Sequence, residues 1–369
     1  MKVRWIFGAV AVAALTAFAV APGFARRGPA PVPCPSGSST RPVVGDGSAH
    51  IGRVRINGVR RRSAALLSGN VVCTGKASFD FDIHVGSQHA GCKEQHRSSL
   101  RIHPSSTVLL RFFFGRFVCG TYGTKSKSFK GPGKVMIIAE DPVFSVSIDR
   151  QKTVVRVLAG SVLVIGKGGS PDGVVVGPAQ QAIVRAGKRP AAATTIKLSP
   201  AEVAESVKFG RHEPPPDFSR PDPTGSPNLT RIFGRNRLSV AFDQASTIDA
   251  GTPVFVRTYL DFLAASWKVQ LNLQFVPAGP ALVSLANNRL DLVVASTTAF
   301  GFDVLPLLWD SSKKTWSVFV NQDKVYSEAL RRFIVSTVYS RRYASFYRKA
   351  FGAPPSYEPL RPVLFPKYP

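Results

Sequence analysis

The sequence lacks the short patterns that carry most enzyme chemistry. It contains no G-x-S-x-G, P-loop or H-E-x-x-H pattern, and residues 231–369 contain neither histidine nor cysteine. Those patterns would supply a nucleophile, a phosphate cradle or a zinc site. Because no nucleophile–base pair is available in that half of the chain, we predict a protein that is not an enzyme and that uses no cofactor.

Long apolar runs are missing after position 20. Lys2 and Arg4 precede an apolar run at positions 5–20, and Gly23 and Ala25 follow it as small residues before a cut. This three-part form is typical of a secretory signal peptide, and the run is shorter than the ~20 residues that a membrane helix needs. We predict a cleaved signal peptide over residues 1–25 and a periplasmic protein, with a retained membrane anchor as the alternative.

Cysteine is scarce, and its four copies all lie in the first third of the chain, as Cys34, Cys73, Cys92 and Cys119. An even number of cysteines in an oxidising compartment predicts two disulfides. Four cysteines allow three pairings, and the sequence does not choose among them.

The few histidines raise the question of a metal site. His84, His89, Cys92, His96 and His103 lie close together, and imidazole and thiolate are zinc ligands. However, no CxxC or HxxxH pair occurs among them, and the stretch is typical of strands and loops rather than of one helical face. We therefore predict no metal, with a zinc site as the alternative.

Acidic residues are few, since 22 of them accompany 48 lysines and arginines and the formal net charge is +26. Residues 26–200 hold 26 of the basic residues and 8 of the acidic ones. Such a charge attracts polyanions through Coulomb forces that salt weakens. The basic residues that cluster most closely, here called the basic patch, are Arg53, Arg55, Arg60, Arg61, Arg62, Lys125, Lys127, Lys130 and Lys134.

The partner of the basic patch is predicted from the location of the protein. No helix-turn-helix, zinc-finger or RNP pattern is present, so we expect no specific nucleic-acid binding. An exported protein would first meet an anionic lipid surface, an envelope polymer or an envelope protein, and we predict a partner of this kind. The alternative is a general basic bias of composition with no partner at all.

Alternation of apolar and polar residues marks the first half of the chain. Residues 143–148 alternate in this way, 149–152 are a polar turn, and β-branched residues fill 153–158 and 161–165 around Gly160. This is the pattern of consecutive β-hairpins. We predict an all-β meander or sandwich over residues 43–198, after a flexible segment at 26–42.

Four segments of this region carry a family resemblance. They are ALLSGNVVCTG at 65–75, LRIHPSSTVLL at 100–110, VVRVLAGSVLV at 154–164 and GPAQQAIV at 177–184. Together they resemble the FecR domain, a β-rich module of bacterial envelope proteins, which implies a scaffold or sensor. The family's role of passing receptor state to a sigma factor needs a spanning helix and a cytoplasmic segment. The sequence offers neither, so that role is not carried over.

A helix and a linker are predicted at residues 199–232. Ser199 and Glu202 form a capping box around Pro200 at the first helical position, which predicts a helix from Pro200 to about Phe209. The proline-rich stretch HEPPPDFSRPDPTGSPN that follows favours an extended linker. The domain boundary is expected there.

Residues 233–356 alternate strand and helix patterns. Apolar strands at 238–242, 269–276 and 291–295 are separated by helical patterns at 254–267 and 280–287. This βαβαβ order predicts a small α/β domain with a mostly parallel sheet. We also predict a strand at 315–320, one long helix from Tyr326 to Lys349 and a C-terminal tail at 357–369.

The α/β domain has a resemblance of its own. The segments on which it rests are LSVAFD at 238–243, WKVQLNLQFVP at 267–277, ALVSLANNRLDLVVAS at 281–296 and EALRRFIVSTVYSRRYASFYRKAFG at 328–352. They resemble one lobe of the family 3 periplasmic solute-binding proteins of amino-acid ABC transporters. The resemblance implies a ligand or partner edge at Asp243, Gln244, Ser296, Thr297 and Thr298.

Two departures from that family weaken the solute-binding interpretation. About twenty residues separate the third strand from TWSVFVN, so the second lobe of the clamp is absent or reduced to a loop. The arginine that pairs a ligand carboxylate is missing from residues 296–303. Four carboxylates could lie near the sheet edge, and we favour capping roles over acid–base work for them: Asp243, Asp249, Asp291 and Asp303.

Three functions are therefore predicted in order of preference. The first is an exported, non-enzymatic envelope protein, with a FecR-like scaffold or sensor and a one-lobed domain that engages a protein or anionic envelope partner. The second is a periplasmic solute receptor for an amino acid or another small polar solute, whose missing lobe comes from another subunit. The third is a small hydrolase of wall polymer, which the missing nucleophile–base pair argues against.

Overall fold

The structure is a computed structural model, and it describes residues 43–50, 52–85, 88–102, 109–122, 127–209 and 217–366. The predicted signal peptide, the predicted flexible segment 26–42, Cys34, His103 and Lys125 lie outside these residues. All described residues belong to one compact unit. None of the helices they form is long and apolar enough to span a bilayer.

Residues 43–195 form a β-rich region, as the alternating pattern predicts. Its strands join in one branched sheet of fifteen strands. They are β1 (Val43–Ala49), β2 (Val54–Ile56), β3 (Val59–Arg61), β4 (Ser63–Leu67), β5 (Val71–Cys73), β6 (Phe79–Val85), β7 (Gln88–Glu94), β8 (Ser99–Ile102), β9 (Leu110–Tyr122), β10 (Lys127–Lys130), β11 (Met136–Ile148), β12 (Lys152–Ile165), β13 (Val174–Val176), β14 (Gln180–Arg185) and β15 (Thr194–Thr195).

The long strand β9 organises this sheet. Its first half pairs with β8 and β10, and its second half pairs with β7 and β11. Gly115, at φ +108°, lies where the halves meet, and a Cβ there would lie 2.1 Å from Ser98 Oγ. Any other residue would clash with Ser98 and would be strained at this φ, so the bend requires glycine here. The bent sheet encloses an apolar core that includes Phe79, Phe81, Leu100, Phe112, Phe117, Phe129, Phe144, Val155 and Val164.

The predicted turn at residues 149–152 joins two strands that are longer than the sequence pattern indicates. Asp149 Oδ1 accepts hydrogen bonds from the backbone N–H groups of Gln151 and Lys152 at 2.7 and 2.8 Å. These backbone hydrogen bonds lower the pKa of Asp149. Gly160, which marks a break in the pattern, instead lies inside β12 at φ +69°, so the strand bends there and continues.

One disulfide joins opposed positions of neighbouring strands. Cys92 on β7 and Cys119 on β9 are register partners and are bonded to each other. Cys73 is disulfide-bonded as well. No cysteine among the described residues is free, which agrees with the disulfides expected from the cysteine count.

The helix predicted from the capping box is present as α1 (Pro200–Phe209). The Ser199 N–H donates to Glu202 Oε2 at 2.8 Å, and the Glu202 N–H donates to Ser199 Oγ at 3.3 Å. Glu202 also pairs with Arg156 of β12 at 3.0 Å. Phe209 at the end of α1 packs against Val118, Val143 and Leu158 of the β region, so α1 belongs to that region and does not start the linker.

Residues 227–364 form an α/β region. Its helices are α2 (Pro227–Gly234), α3 (Gly251–Trp267), α4 (Ala278–Ala286), α5 (Lys324–Tyr339), α6 (Arg342–Phe351) and α7 (Arg361–Leu364). Its strands are β16 (Arg237–Phe242), β17 (Gln270–Phe275), β18 (Leu292–Ala295), β19 (Phe302–Trp309) and β20 (Thr315–Asn321). The chain thus follows a βαβαβ order from β16 to β18.

The sheet of the α/β region has the strand order β17-β16-β18-β20-β19. The strand β16 pairs in parallel with β17 and β18, whereas β20 pairs antiparallel with β18 and β19. The sheet is therefore mixed, where the sequence predicts a mostly parallel one. The sequence pattern predicts a loop at residues 302–309. In the structure these residues form β19, which makes an antiparallel hairpin with β20.

The connection between β18 and β19 takes the place of a second lobe. Ala295 stands opposite Ser317, whereas Phe302 stands opposite Asn321 at the far end of β20. At about 3.3 Å per residue, the segment between them must descend about 13 Å along β20. Residues 296–301, here called the strap, therefore cross β20 from the carboxyl edge toward the opposite edge, with bends at both ends of the segment.

The structure corrects the linker prediction for residues 217–232. Phe218 lies edge-on to Phe262 and Phe333, with ring centroids 4.9 and 5.4 Å apart. Ser226 is the N-cap of α2, and its hydroxyl also donates to Asp323 at 2.6 Å. Aromatic packing and capping fix this stretch on the α/β region, although its proline content favours a linker. Residues 210–216 lie outside the described part of the chain.

The single helix predicted from Tyr326 to Lys349 is wrong, since α5 and α6 are separate. Ser340 ends α5, and Arg341 adopts a left-handed conformation at φ +61°. The Arg341 Nη2 atom donates to the carbonyl oxygen of Leu158 on β12 at 2.7 Å. A contact with the β region therefore accompanies the break.

The predicted C-terminal tail is buried between the two regions, so that prediction is also wrong. None of its main apolar residues is more than 2% exposed: Tyr357, Leu360, Val363, Leu364 and Phe365. They share an apolar cluster with residues of the β region, namely Ile138, Leu163, Ile165 and Val175. The two regions therefore have a common core.

Polar contacts of the same C-terminal segment also join the α/β region to the β region. Arg361 is only 8% exposed, and its guanidinium donates to the carbonyl oxygens of Ser170 and, at 3.1 Å, Gly173. Glu358 Oε2 accepts from the N–H of Val175 at 2.9 Å. The loop before β13 is thus held by the charged pair of the C-terminal segment.

We expect Arg361→Met to lower the free energy of unfolding by about 3 kcal/mol, because buried carbonyl groups lose a charged donor. Denaturant unfolding of the whole protein measures the change. The control is Arg257→Met, which removes an exposed ion pair with Asp261 and should cost at most about 0.5 kcal/mol. Equal losses in the two variants would contradict the structural role of Arg361.

Candidate functional site

The carboxyl ends of the three parallel strands share one edge of the α/β sheet, which is where open α/β sheets bind ligands. Asp243 follows β16 at this edge and is 4% exposed. Its Oδ2 atom accepts a hydrogen bond from Ser246 Oγ at 2.6 Å. Its Oδ1 atom is buried and has no hydrogen-bond partner among the described residues. Asp243 thus keeps an unused acceptor at this edge.

The other residues predicted at this edge are separated by the structure. Gln244 is exposed in the same loop as Asp243, and Thr297 and Thr298 are exposed at the start of the strap, where Ser296 is half-buried. The strap leaves the edge and descends along β20. The five predicted residues therefore lie in two neighbouring loops, and no hydrogen bond between the two loops is seen among the described residues.

Two other carboxylates at this edge are fully occupied by the protein itself. Asp249 accepts from the N–H groups of Gly251 at 2.7 Å and Ser311 at 3.0 Å. Burial opposes the charge of Asp249, but these hydrogen bonds outweigh it and lower the pKa. Asp310 accepts from the N–H of Lys314 at 2.9 Å and from Trp316 Nε1 at 3.1 Å. Both carboxylates hold loops in place.

The remaining predicted carboxylates lie at the opposite edge and have structural partners. Asp291, at the start of β18, pairs with Arg231 and Arg235 at 3.0 Å each and accepts from the N–H of Ser239 at 2.7 Å. Asp303, near the start of β19, accepts from the hydroxyl of Ser327. The four carboxylates therefore do not converge, and capping and pairing roles account for them.

Apolar side chains are exposed around the carboxyl edge. Ile248 in the loop after β16 is 80% exposed, and Phe275 at the end of β17 is 61% exposed. Phe300 in the strap is fully exposed, but it lies two residues before Phe302 and therefore near the opposite edge. Exposed apolar groups of this size often mark interaction surfaces when they adjoin polar residues. The carboxyl edge therefore combines a buried acceptor with two exposed apolar groups.

The structure describes most of the basic patch. All five of its arginines are exposed on or beside the β2–β3 hairpin, as Arg53, Arg55, Arg60, Arg61 and Arg62. Arg55 stands directly opposite Arg60, whereas Arg61 stands opposite the buried Val54. Like charges that face each other across a strand pair destabilise it. Lys130 and Lys134 are also exposed.

Sequence analysis missed two arginines of the same surface. Arg101 on β8 stands opposite Arg111 on β9, and Lys130 on β10 stands opposite Arg111 on its other side. The guanidinium carbons of Arg101 and Arg111 lie 6.0 and 5.7 Å from the ring centroid of Phe113. These residues are far apart in the chain, so only the strand register could have revealed the row.

The histidine and cysteine stretch does not assemble a metal site in the described residues. Cys92 is in a disulfide, so its thiolate is not available as a ligand. The rings of His84 and His89 stack with centroids 4.1 Å apart. No group of three histidine, cysteine or acidic side chains suited to a metal occurs in the part of the chain that the structure covers.

Glu94 is a buried carboxyl group of the β region. It lies on β7 between Phe79 and Phe117 of the adjacent strands, and it is 0% exposed. Neither of its oxygens has a hydrogen-bond partner among the described residues. Burial raises the pKa of Glu94 well above 4.5, because desolvation disfavours the charged form.

We expect Glu94→Gln to gain stability relative to the wild type as pH rises above 4.5. The folded state holds the Glu94 proton more tightly than the unfolded state, so this stability is complete below the unfolded pKa and is lost as pH rises toward the folded pKa. Each pH unit in that window costs about 1.4 kcal/mol. Urea unfolding between pH 4 and 8 measures the difference.

The matched control for this measurement is Glu328→Gln. The hydrogen bond from Arg331 lowers the pKa of Glu328, so this variant should lose a little stability relative to the wild type above the unfolded pKa. Stability curves of Glu94→Gln and wild type that run parallel across the whole range would contradict the raised pKa of Glu94.

Comparisons with known proteins add little to this geometry. No protein-family model matches the chain, and no curated protein is significantly similar to it. Two crystal structures, each of a "putative anti-sigma factor" from Parabacteroides distasonis ATCC 8503, match in part. The 1.65 Å structure has 10% identity and a TM-score of 0.29 over 48% of this chain and 79% of that chain. The 2.50 Å structure has 9% identity and a TM-score of 0.26 over 75% and 98%. Scores this low carry no weight for the fold or the function.

Proposed function

We propose that this is an exported, non-enzymatic protein of the cell envelope. Its β region serves as a FecR-like scaffold or sensor, and its α/β region engages a partner protein through the carboxyl edge of the sheet. The observation that carries the proposal is that Ile248 and Phe275 are exposed at this edge, while Asp249 and Asp310 are occupied by internal hydrogen bonds. The signal-peptide form of the first 25 residues supports export.

A protein partner suits this edge better than a small solute does. Small-molecule sites usually enclose ~70–90% of the ligand surface, and the single sheet edge with a strap provides one wall only. A protein partner buries apolar groups over a broad area, typically ~800 Å² on each side. The exposed Phe275 is the type of aromatic anchor that such interfaces favour.

The second candidate is a periplasmic solute receptor. Asp243 favours it, because a buried carboxylate oxygen without a partner is suited to accept a hydrogen bond from an ammonium or hydroxyl group of a solute. The missing arginine at residues 296–303 and the missing second lobe argue against it. A complementary lobe would then have to come from another subunit.

Partner capture tests the first candidate. We expect Ile248→Ser/Phe275→Ser to lose most of the protein that co-purifies with the wild type from envelope extracts, because the apolar anchors are removed. The control is Val207→Ser, which changes an apolar residue of α1 that is 62% exposed and lies in the β region. Partner recovery that is unchanged in the double variant, or equally lost in the control, would refute the role of the carboxyl edge.

Calorimetry of the mature protein against a panel of amino acids tests the second candidate. We expect no dissociation constant below about 100 µM, since one open wall leaves the ligand in water. Low-micromolar binding that is lost in Asp243→Ala and in Thr297→Ala would replace the partner-protein proposal by the receptor. Binding that survives both changes would point away from this edge.

A further inference from the structure

The basic charge is concentrated in two stretches of the chain that contain no acidic residue. Residues 47–79 hold six lysines and arginines and no aspartate or glutamate, and residues 95–139 hold eight and none. The first stretch supplies β2, β3 and β5, and the second supplies β8, β9 and β10. Pairing of these strands in the order β3-β2-β5-β8-β9-β10 brings both acid-free stretches together.

Alternation along the strands directs the cations to one side of this array. Leu100, Phe112 and Phe129 lie in the core and hold their strands with one face inward. Arg101, Arg111 and Lys130 are their chain neighbours, so they lie on the outward face.

The β2–β3 hairpin places further cations on the same side of the array, beyond the buried outward positions Val71 and Cys73 of β5. Val54 and Ile56 are in the core, so Arg55 between them points outward together with its register partner Arg60. We call the outward set the cationic face, and it consists of Arg55, Arg60, Arg101, Arg111 and Lys130.

In the part of the chain that the structure describes, the cationic face has no acidic partner. None of its members takes part in the ion pairs found among the described residues. Another like-charged strand pair, Lys152 and Arg185, differs because the charge of Lys152 acts on the nearby Asp149. The row of Arg101, Arg111 and Lys130, at about 4.8 Å per strand, therefore has an unbalanced field that an external anion would neutralise.

We propose that the cationic face binds a linear, phosphate-bearing polymer without bases, of the phosphodiester type found in envelopes. Guanidinium groups form two parallel hydrogen bonds to a phosphate, which suits a face in which four of the five cations are arginines. The six strands accumulate about 100° of twist, and a flexible chain follows a twisted surface better than a flat bilayer does. The proposal rests on the exported location given under the proposed function.

The face is poorly suited to single-stranded nucleic acid. Proteins that bind such strands use exposed aromatic rings on which the bases stack. Phe113 is half-buried, and Arg101 and Arg111 lie over its ring. Its ring is therefore already occupied, and phosphate groups are the part of a polymer that this face recognises.

Binding of long-chain inorganic polyphosphate to the mature protein, measured over a series of NaCl concentrations, tests the proposal. We expect Arg101→Gln/Arg111→Gln/Lys130→Gln to weaken binding at least tenfold at 150 mM NaCl. The slope of log K against log salt should become shallower by about 2, from three lost phosphate contacts at about 0.7 each. Arg55→Gln/Arg60→Gln changes only exposed hairpin residues and should also weaken polyphosphate binding. This variant replaces the triple variant in the test if the triple variant does not fold.

The matched control removes the same charges elsewhere. Arg150→Gln/Lys152→Gln/Arg185→Gln changes two arginines and one lysine, all exposed, around the β11–β12 turn, and it should stay within about twofold of the wild type. An equal loss in this control would overturn the proposal, because net charge alone would then account for binding. Absence of polyphosphate binding by the wild type would overturn it as well.

Competing partner classes and the proposed function have separate readouts. Tighter binding to anionic phospholipid vesicles or to single-stranded DNA than to polyphosphate, with the same dependence on Arg101, Arg111 and Lys130, would overturn the choice of polymer. Ile248→Ser/Phe275→Ser should bind polyphosphate like the wild type. Failure of the cationic face and failure of the carboxyl edge are therefore distinguishable.

Discussion

The buried guanidinium of Arg361 is the contact on which the arrangement of the two regions depends. Arg361 is only 8% exposed, and a buried charge is tolerated only when its N–H groups make hydrogen bonds. Here the carbonyl groups of the loop before β13 accept these hydrogen bonds. The same segment places Tyr357 and Leu360 in an apolar cluster with Leu163 and Val175. Separating the regions would therefore remove the carbonyl acceptors of Arg361 and expose a continuous apolar surface, and each half is stabilised by the other.

This junction bears on function as well as on stability. A two-lobed solute receptor works by a hinge that opens and closes around the ligand, and a hinge needs an interface that separates at little cost. Here the α/β sheet is backed by helices whose core continues into the β region, and Arg341 donates to Leu158 across the junction. The carboxyl edge is therefore held in a fixed position. A fixed, exposed edge suits the docking surface proposed above better than it suits one half of a clamp.

Local patterns in the sequence predicted the elements well where local interactions decide them. The capping box at Ser199 and Glu202 gave α1 its observed bounds, because the two hydrogen bonds are made within one turn. Long-range contacts decided the rest. Phe218 belongs to a proline-rich stretch, yet aromatic packing holds it on the α/β region. The sequence pattern is helical across Arg341, yet the helix ends there. Arg341 adopts a left-handed conformation and donates a hydrogen bond to β12. The C-terminal segment reads as a tail because its partners lie almost 200 residues earlier.

The candidate surfaces show the same division between local and long-range information. The hairpin arginines are visible in the sequence because they are adjacent, whereas the row of Arg101, Arg111 and Lys130 exists only through strand register. That register is set by the core, since Leu100 and Phe112 pack inward at neighbouring positions. Packing thus fixes the spacing of the charges, and their mutual repulsion works against the pairing that the core imposes. A bound polyanion would relieve this repulsion without altering the core, so binding at this face would stabilise the β region that presents it.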